Sequence, residues 1–129
     1  MPLTSARETA SNACVNTFRG TYTVMITPFD DAGALDLDAL RRFVDWQITE
    51  GIHGLVALGS TGEFLSLSDA EHEAVAAATI AAAGGRVPVL IGTGAEDTRE
   101  AVRLSRRAER LGADGVMKVN GLPLGKAPF

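Results

Sequence analysis

The 129-residue chain is 46% hydrophobic and 22% charged, a composition that suits one globular domain and excludes the disordered and fibrous classes. Its net charge of −4 argues against a nucleic-acid role, which needs a basic patch to meet phosphates. A single cysteine, Cys14, excludes an internal disulfide and a cysteine-based zinc site; it suits a reducing, cytoplasmic setting.

Residues 1–17 have no apolar core of the kind a signal peptide carries and read as a polar tail. No apolar run in the chain approaches the roughly 20 residues that span a bilayer. From residue 18 on, strand and helix alternate. "GTYTVMIT" (20–27) is β-branched and apolar, and Pro28 ends it. "DDAG" (30–33) is a turn. A helix follows from Leu37 to Glu50, with Asp36 at its N-cap, Leu37, Leu40, Val44 and Ile48 at helical spacing, and Gly51 as the stop.

"HGLVALG" (53–59) is the second strand. The second helix runs from Asp69 to Ala83, opened by Ser68 and Glu71 at capping-box spacing and stopped by Gly84-Gly85. "VPVLIGTG" (87–94) is the third strand; Asp97 and Glu100 open a third helix in the same way, ending near Leu111-Gly112. "DGVMKVN" (114–120) is the fourth strand. The arginine-rich run "REAVRLSRRAER" reads as the wet face of the third helix rather than an anion site.

Strands about 30 residues apart are one βα unit each. Continuously apolar strands are expected where both sheet faces are covered. The pattern is (βα)₃β with a parallel sheet, either doubly wound or part of a closed barrel. In both, chemistry sits at the carboxyl ends of the strands, here "TPF", "GSTGE", "GTGAED" and "VNGLP".

Among these ends "GSTGE" (59–63) is the most pointed. Ser60 and Thr61 offer two hydroxyl donors between glycines, with no lysine or arginine in the turn. That suits a small carboxylate or carbonyl oxygen held by neutral donors; the plain alternative is that the hydroxyls bond their own backbone. Glu63 is a general acid or base, or a backbone-bonding residue. His53 starts its strand at the opposite end and His72 lies in a helix, so both read as surface or packing residues. Phe43 and Trp46, in the first helix, read as packing or interface residues. The P-loop, the dinucleotide fingerprint and the nucleophile elbow all fail on spacing.

"FRGTYTVMITPF" (18–29), "LVALGSTGEFLSLSDAEH" (55–72), "VPVLIGTGAEDT" (87–98) and "AERLGADGVM" (108–117) together resemble the N-terminal part of the dihydrodipicolinate synthase / N-acetylneuraminate lyase family. The resemblance implies that residues 18–129 are part of a (β/α)₈ TIM barrel with class I aldolase chemistry. In that chemistry a lysine forms a Schiff base with pyruvate or another 2-oxo acid, without metal or organic cofactor. Carried over, Ser60 is the hydroxyl of a tyrosine proton relay, Thr61 with the Gly62 region holds the substrate carboxylate, and Thr27 lines the base of the pocket.

The resemblance fades after Met117, where "KVNGLPLGKAPF" stands in place of an aromatic pair. The lysine and tyrosine of the chemistry belong to strands six and five; Lys118 and Lys126 match neither position. These departures lead to the expectation of a truncated or frameshifted copy, inactive alone. Val24, Ile26, Val56, Leu58 and Leu90 are expected on a half-covered inner sheet face. Association follows as an expectation, either as a homo-oligomer or with a full-length homologue. The remaining reading is a non-catalytic module that holds a 2-oxo acid.

Overall fold

Four short parallel strands pair in the order β1-β2-β3-β4: β1 (Tyr22–Val24), β2 (Gly54–Ala57), β3 (Val89–Gly92) and β4 (Gly115–Met117). The computed structural model describes residues 18–118. The expected polar tail, the end of the fourth strand past Lys118, and Lys126 lie outside the described residues. Helices α1 (Leu37–Thr49), α2 (Asp69–Ala83) and α3 (Thr98–Leu111) connect successive strands. The (βα)₃β reading therefore holds, with each strand shorter at its ends than the apolar runs suggest.

The helix ends follow from their sequences. Asp36 caps α1 by accepting a hydrogen bond from Ala39 N–H at 2.8 Å. Ser68 and Glu71 form the expected reciprocal capping box at α2, and Gly84 ends that helix in the left-handed region. At α3 the expected second box does not form. Asp97 accepts from Arg99 N–H at 2.8 Å, while the Glu100 carboxylate turns to Arg103. An arginine three residues along the same face outcompetes the cap backbone, because a charge-assisted pair is the stronger partner.

The core lies between the sheet and the helices. Met25, Leu55, Ala57 and Ile91 from the sheet meet Leu40, Val44, Val75, Ala76 and Ala108 from the helices. The register places Val24 opposite Val56, Val56 opposite Leu90, and Leu90 opposite Gly115 on the other, inner face. Val24 and Ile26 are exposed there, as expected of a half-covered face.

Two of the expected inner-face residues behave differently. Val56 is buried because Val24 and Leu90 flank it in register. Leu58 is 1% exposed and belongs to the helix-side core, because its backbone takes a left-handed φ of 62° that breaks the strand alternation.

The arginine run is not uniformly solvated. Arg99, Arg106 and Arg110 are exposed, but Arg107 is only 5% exposed. It lies against α2, with a nitrogen 2.9 Å from an Asp69 carboxylate oxygen and another 3.1 Å from His72 Nδ1. Among the described residues, no helix is long and apolar enough to cross a membrane.

Candidate functional site

At the carboxyl end of β2 the chain turns sharply. Leu58 takes its left-handed conformation, Gly59 is extended, and Ser60–Gly62 form one turn of 3₁₀ helix. Gly62 N–H donates to Gly59 O at 3.0 Å and Glu63 N–H to Ser60 O at 3.1 Å. Glu63 is again left-handed, with φ 54° and ψ 35°. Among the described residues Leu58 and Glu63 are the two non-glycine residues with positive φ. They bracket the turn, and each left-handed residue costs on the order of 1–3 kcal/mol that the surroundings must offset.

The surroundings supply that support from two other strands. Thr27, at the end of the β1 segment, is buried, and its hydroxyl donates to Gly62 O at 2.7 Å. On the other side, the Leu58 carbonyl lies directly over Gly92 of β3. A Cβ placed on Gly92 would come within 1.9 Å of that oxygen. Glycine is required at position 92 by this close approach of backbone to backbone, and its own φ is ordinary.

The two hydroxyl residues are left open. Ser60 and Thr61 are exposed, and among the described residues neither side chain makes a hydrogen bond. Nor do the Ser60 and Thr61 backbone N–H groups have a partner there. The alternative in which the hydroxyls satisfy their own backbone is therefore not what the fold does. The turn presents two O–H and two N–H donors, all neutral, at one rim of the sheet. Gly62 contributes closeness rather than a donor, since its N–H is taken. Thr27 contributes no free hydroxyl, since its own is given to Gly62. Glu63 is exposed, and its carboxylate makes no hydrogen bond among the described residues.

The remaining candidates sit elsewhere. His53 Nδ1 accepts from Thr21 N–H at 3.0 Å, tying together the starts of β1 and β2 at the opposite end of the sheet. His72 is buried in the contact between α2 and α3. Burial first, and then the neighbouring Arg107 guanidinium, push its pKa below the ordinary imidazole value. Its Nε2 has no hydrogen-bond partner of good geometry. Asp69 is held below the usual carboxylate range chiefly by the hydrogen bond from Arg103, and Glu100 likewise. This charged seam joins two helices and was not apparent from sequence, although His72 and Asp69 three residues apart on one helix face were the available signal.

Phe43 and Trp46 of α1 stack with centroids 6.0 Å apart; Phe43 is half-buried against the core, while Trp46 is 56% exposed. Tyr22 lies on β1, edge-on to Phe18. Lys118, the lysine among the described residues, lines a groove of about 490 Å³ between β4 and α3. Its neighbour Met117 is the one that approaches Gly59 across the inner face. No cluster of three or more His, Cys, Asp or Glu placed to hold a metal ion occurs among the described residues.

A parallel βα array in the sequential order β1-β2-β3-β4, with a turn of neutral donors at its carboxyl rim, is the arrangement of the N-terminal part of a TIM barrel. The family model described as the dihydrodipicolinate synthetase family matches residues 17–122. The chain belongs to that family. It is 52% identical over 101 residues to the 4-hydroxy-tetrahydrodipicolinate synthase of Cereibacter sphaeroides, covering 78% of this chain and 34% of that one. The enzyme of the same name from Gluconacetobacter diazotrophicus is 46% identical over 102 residues, covering 79% and 34%.

Among solved structures, the chloride-inhibited dihydrodipicolinate synthase of Acinetobacter baumannii, complexed with pyruvate, superimposes with a TM-score of 0.79. The two are 39% identical, and the match covers 81% of this chain and 36% of that one. The dihydrodipicolinate synthase of Aquifex aeolicus gives a TM-score of 0.75 at 37% identity, covering 78% and 34%. The chain thus spans about a third of the length of the relatives it matches.

Proposed function

We propose that this chain carries the acid-gripping rim of a Schiff-base lyase or aldolase acting on pyruvate or another 2-oxo acid. The observation that carries the reading is the pair of open hydroxyls, Ser60 and Thr61, on a turn whose Gly62 and Glu63 N–H groups and Gly62 carbonyl are already bonded. Thr61 Oγ1 and the free N–H groups of the turn donate to the substrate carboxylate. Ser60 Oγ passes a proton between a relay tyrosine and the substrate during imine formation. The pyruvate complex of the Acinetobacter baumannii relative supports the substrate class.

Neutral donors fit this task. They hold a carboxylate without fixing a cation beside an amine that must lose its own proton to attack a ketone. Lys118 follows β4 directly, but it lines the groove beside α3, and Tyr22 lies at the start of β1; on this reading neither serves the grip, and the 129-residue polypeptide by itself is expected to be inactive in imine chemistry. Incubation with pyruvate and borohydride, followed by intact mass measurement, is expected to leave the mass unchanged. A gain of one reduced pyruvate on Lys118 or Lys126 would overturn the inactivity. Ser60→Ala and Thr61→Val are expected to lower pyruvate affinity about tenfold each, Thr61→Val by removing a hydrogen bond to the carboxylate and Ser60→Ala by removing the relay hydroxyl's bond to the substrate. Their thermal stability should equal that of the parent chain. Unchanged affinity in both would refute the grip.

A second reading is a non-catalytic module that pairs with another copy or with a full-length homologue. The exposure of Val24 and Ile26 on the inner face, 42% and 51%, favours it. Sedimentation of the chain as a compact monomer at tens of micromolar, with native circular dichroism, would exclude self-association.

A further inference from the structure

The geometry points to Thr27 and Gly92 as positioning residues, which clamp the Gly59–Glu63 turn from β1 and β3 so that Ser60 and Thr61 stand ready before any acid arrives. The inference rests on the reading of this turn as the carboxylate grip, and gives Thr27 a role through the turn instead of contact with substrate.

Four observations converge. The turn is bracketed by two left-handed non-glycine residues, Leu58 and Glu63, a conformation that a free loop would relax. Thr27 Oγ1 reaches across 35 positions of sequence to bond Gly62 O at 2.7 Å in a buried setting. A Cβ at Gly62 would press on Met25 O at 3.1 Å and on Thr27 Oγ1 at 3.3 Å, so the turn is seated directly on β1. Opposite, the bare Cα of Gly92 admits the Leu58 carbonyl, and so permits the reversal that starts the turn.

The clamp works by removing alternatives. With its carbonyl end pinned by Thr27 and its entry pinned over Gly92, the turn keeps its hydroxyls outward. Ordering then happens during folding instead of during binding, which lowers the entropy lost when a ligand is captured. Thr27 also satisfies a buried carbonyl that would otherwise lack a donor.

The experiment compares Thr27→Val, which keeps the shape and deletes the donor, with Thr27→Ser, which restores it. Amide hydrogen exchange on the ligand-free chain is the first readout. In Thr27→Val the Gly62 and Glu63 amides are expected to exchange on the order of tenfold faster, while α2 and β3 amides keep their protection. Thr27→Ser should return the parent rates. The second readout is pyruvate binding by titration, expected to weaken about tenfold in Thr27→Val and to recover in Thr27→Ser.

Unchanged exchange at Gly62 and Glu63 in Thr27→Val, or failure of Thr27→Ser to restore it, overturns the clamp. If the parent chain binds no pyruvate, the grip reading fails, and the exchange comparison still decides the clamp alone. If Thr27→Val does not fold, Thr27→Ser matching the parent in both readouts supports the clamp, and its loss of turn protection refutes it.

Discussion

Gly92→Ala and Gly59→Ala add the same methyl group to neighbouring strand ends, and the fold assigns them very different consequences. At Gly92 the new Cβ would lie 1.9 Å from Leu58 O and 2.5 Å from its carbonyl carbon. Both are backbone atoms of a fully buried residue, so relief requires Leu58 to leave its left-handed conformation or β3 to part from β2. Overpacking of a tight core costs about 1–3 kcal/mol, and moving backbone puts this case at the top of that range, about 3 kcal/mol. At Gly59 the nearest atoms are the Met117 methyl at 3.2 Å and a Val24 methyl at 3.4 Å. The first is the flexible end of a side chain and the second borders the open inner face. The lower unfolded-state entropy of alanine returns roughly 0.4–1 kcal/mol, so Gly59→Ala should stay within about 1 kcal/mol of the parent. Urea unfolding followed at 222 nm measures both. With a slope of about 1.5 kcal/mol per molar, Gly92→Ala should lower the midpoint by roughly 2 M and Gly59→Ala by well under 1 M. Equal midpoints for the two variants would refute the close approach of Leu58 to Gly92 and, with it, the origin of the turn.

Two further outcomes follow from the helices. His72 is kept neutral by burial and by Arg107, with Asp69, Glu73 and Arg103 also in the seam, so its folded pKa lies below its ordinary value of 6.5. The unfolded chain then binds the extra proton first on acidification, and the stability tied to His72 is complete above pH 6.5 and declines as pH falls below it. Melting temperatures at pH 7.5 and 5.5 should show this decline in the parent and a smaller one in His72→Gln; identical pH dependence would exclude the effect. Ser68→Ala removes the acceptor for Glu71 N–H and a donor to the Glu71 carboxylate. It should cost about 1 kcal/mol in urea unfolding, whereas Glu100→Ala should leave the α3 cap intact, because Asp97 alone makes it.

The elements of the fold were legible in the sequence wherever one local rule decided the outcome. The capping box of α2 needed only Ser68 and Glu71, and the strand spacing needed only apolar runs cut by glycine and proline. The order β1-β2-β3-β4 is that of a barrel, and the barrel is implied by the family resemblance rather than by any local rule. What was not legible depends on two segments meeting. Leu58 sits in an apolar run that alternation assigns to the inner face, and only its left-handed φ moves it to the helix side. Arg107 belongs to a run of arginines that looks uniformly solvated, and only the approach of α2 with Asp69 and His72 buries it. Glu100 had the spacing of a cap residue and found Arg103 instead. The site shows the same division. Ser60 and Thr61 could be picked out by type and by their place between glycines, but that their hydroxyls stay open depends on Thr27 and Gly92, which seat the turn from the neighbouring strands.

This has a consequence for how such a rim is built. The hydroxyls belong to β2, but the atoms that fix their direction belong to β1 and β3. Thr27 reaches the turn only when β1 is paired, since Met25 N–H bonds Val56 O two residues before Thr27. Gly92 lies under Leu58 only when β3 keeps its register, Ala57 opposite Ile91. The turn is therefore a product of three adjacent strands, and α2, which carries the capping box just beyond it, ties its exit to the core. Three adjacent strands thus suffice to aim two hydroxyls outward, while the edge strands β1 and β4 are left open to further pairing.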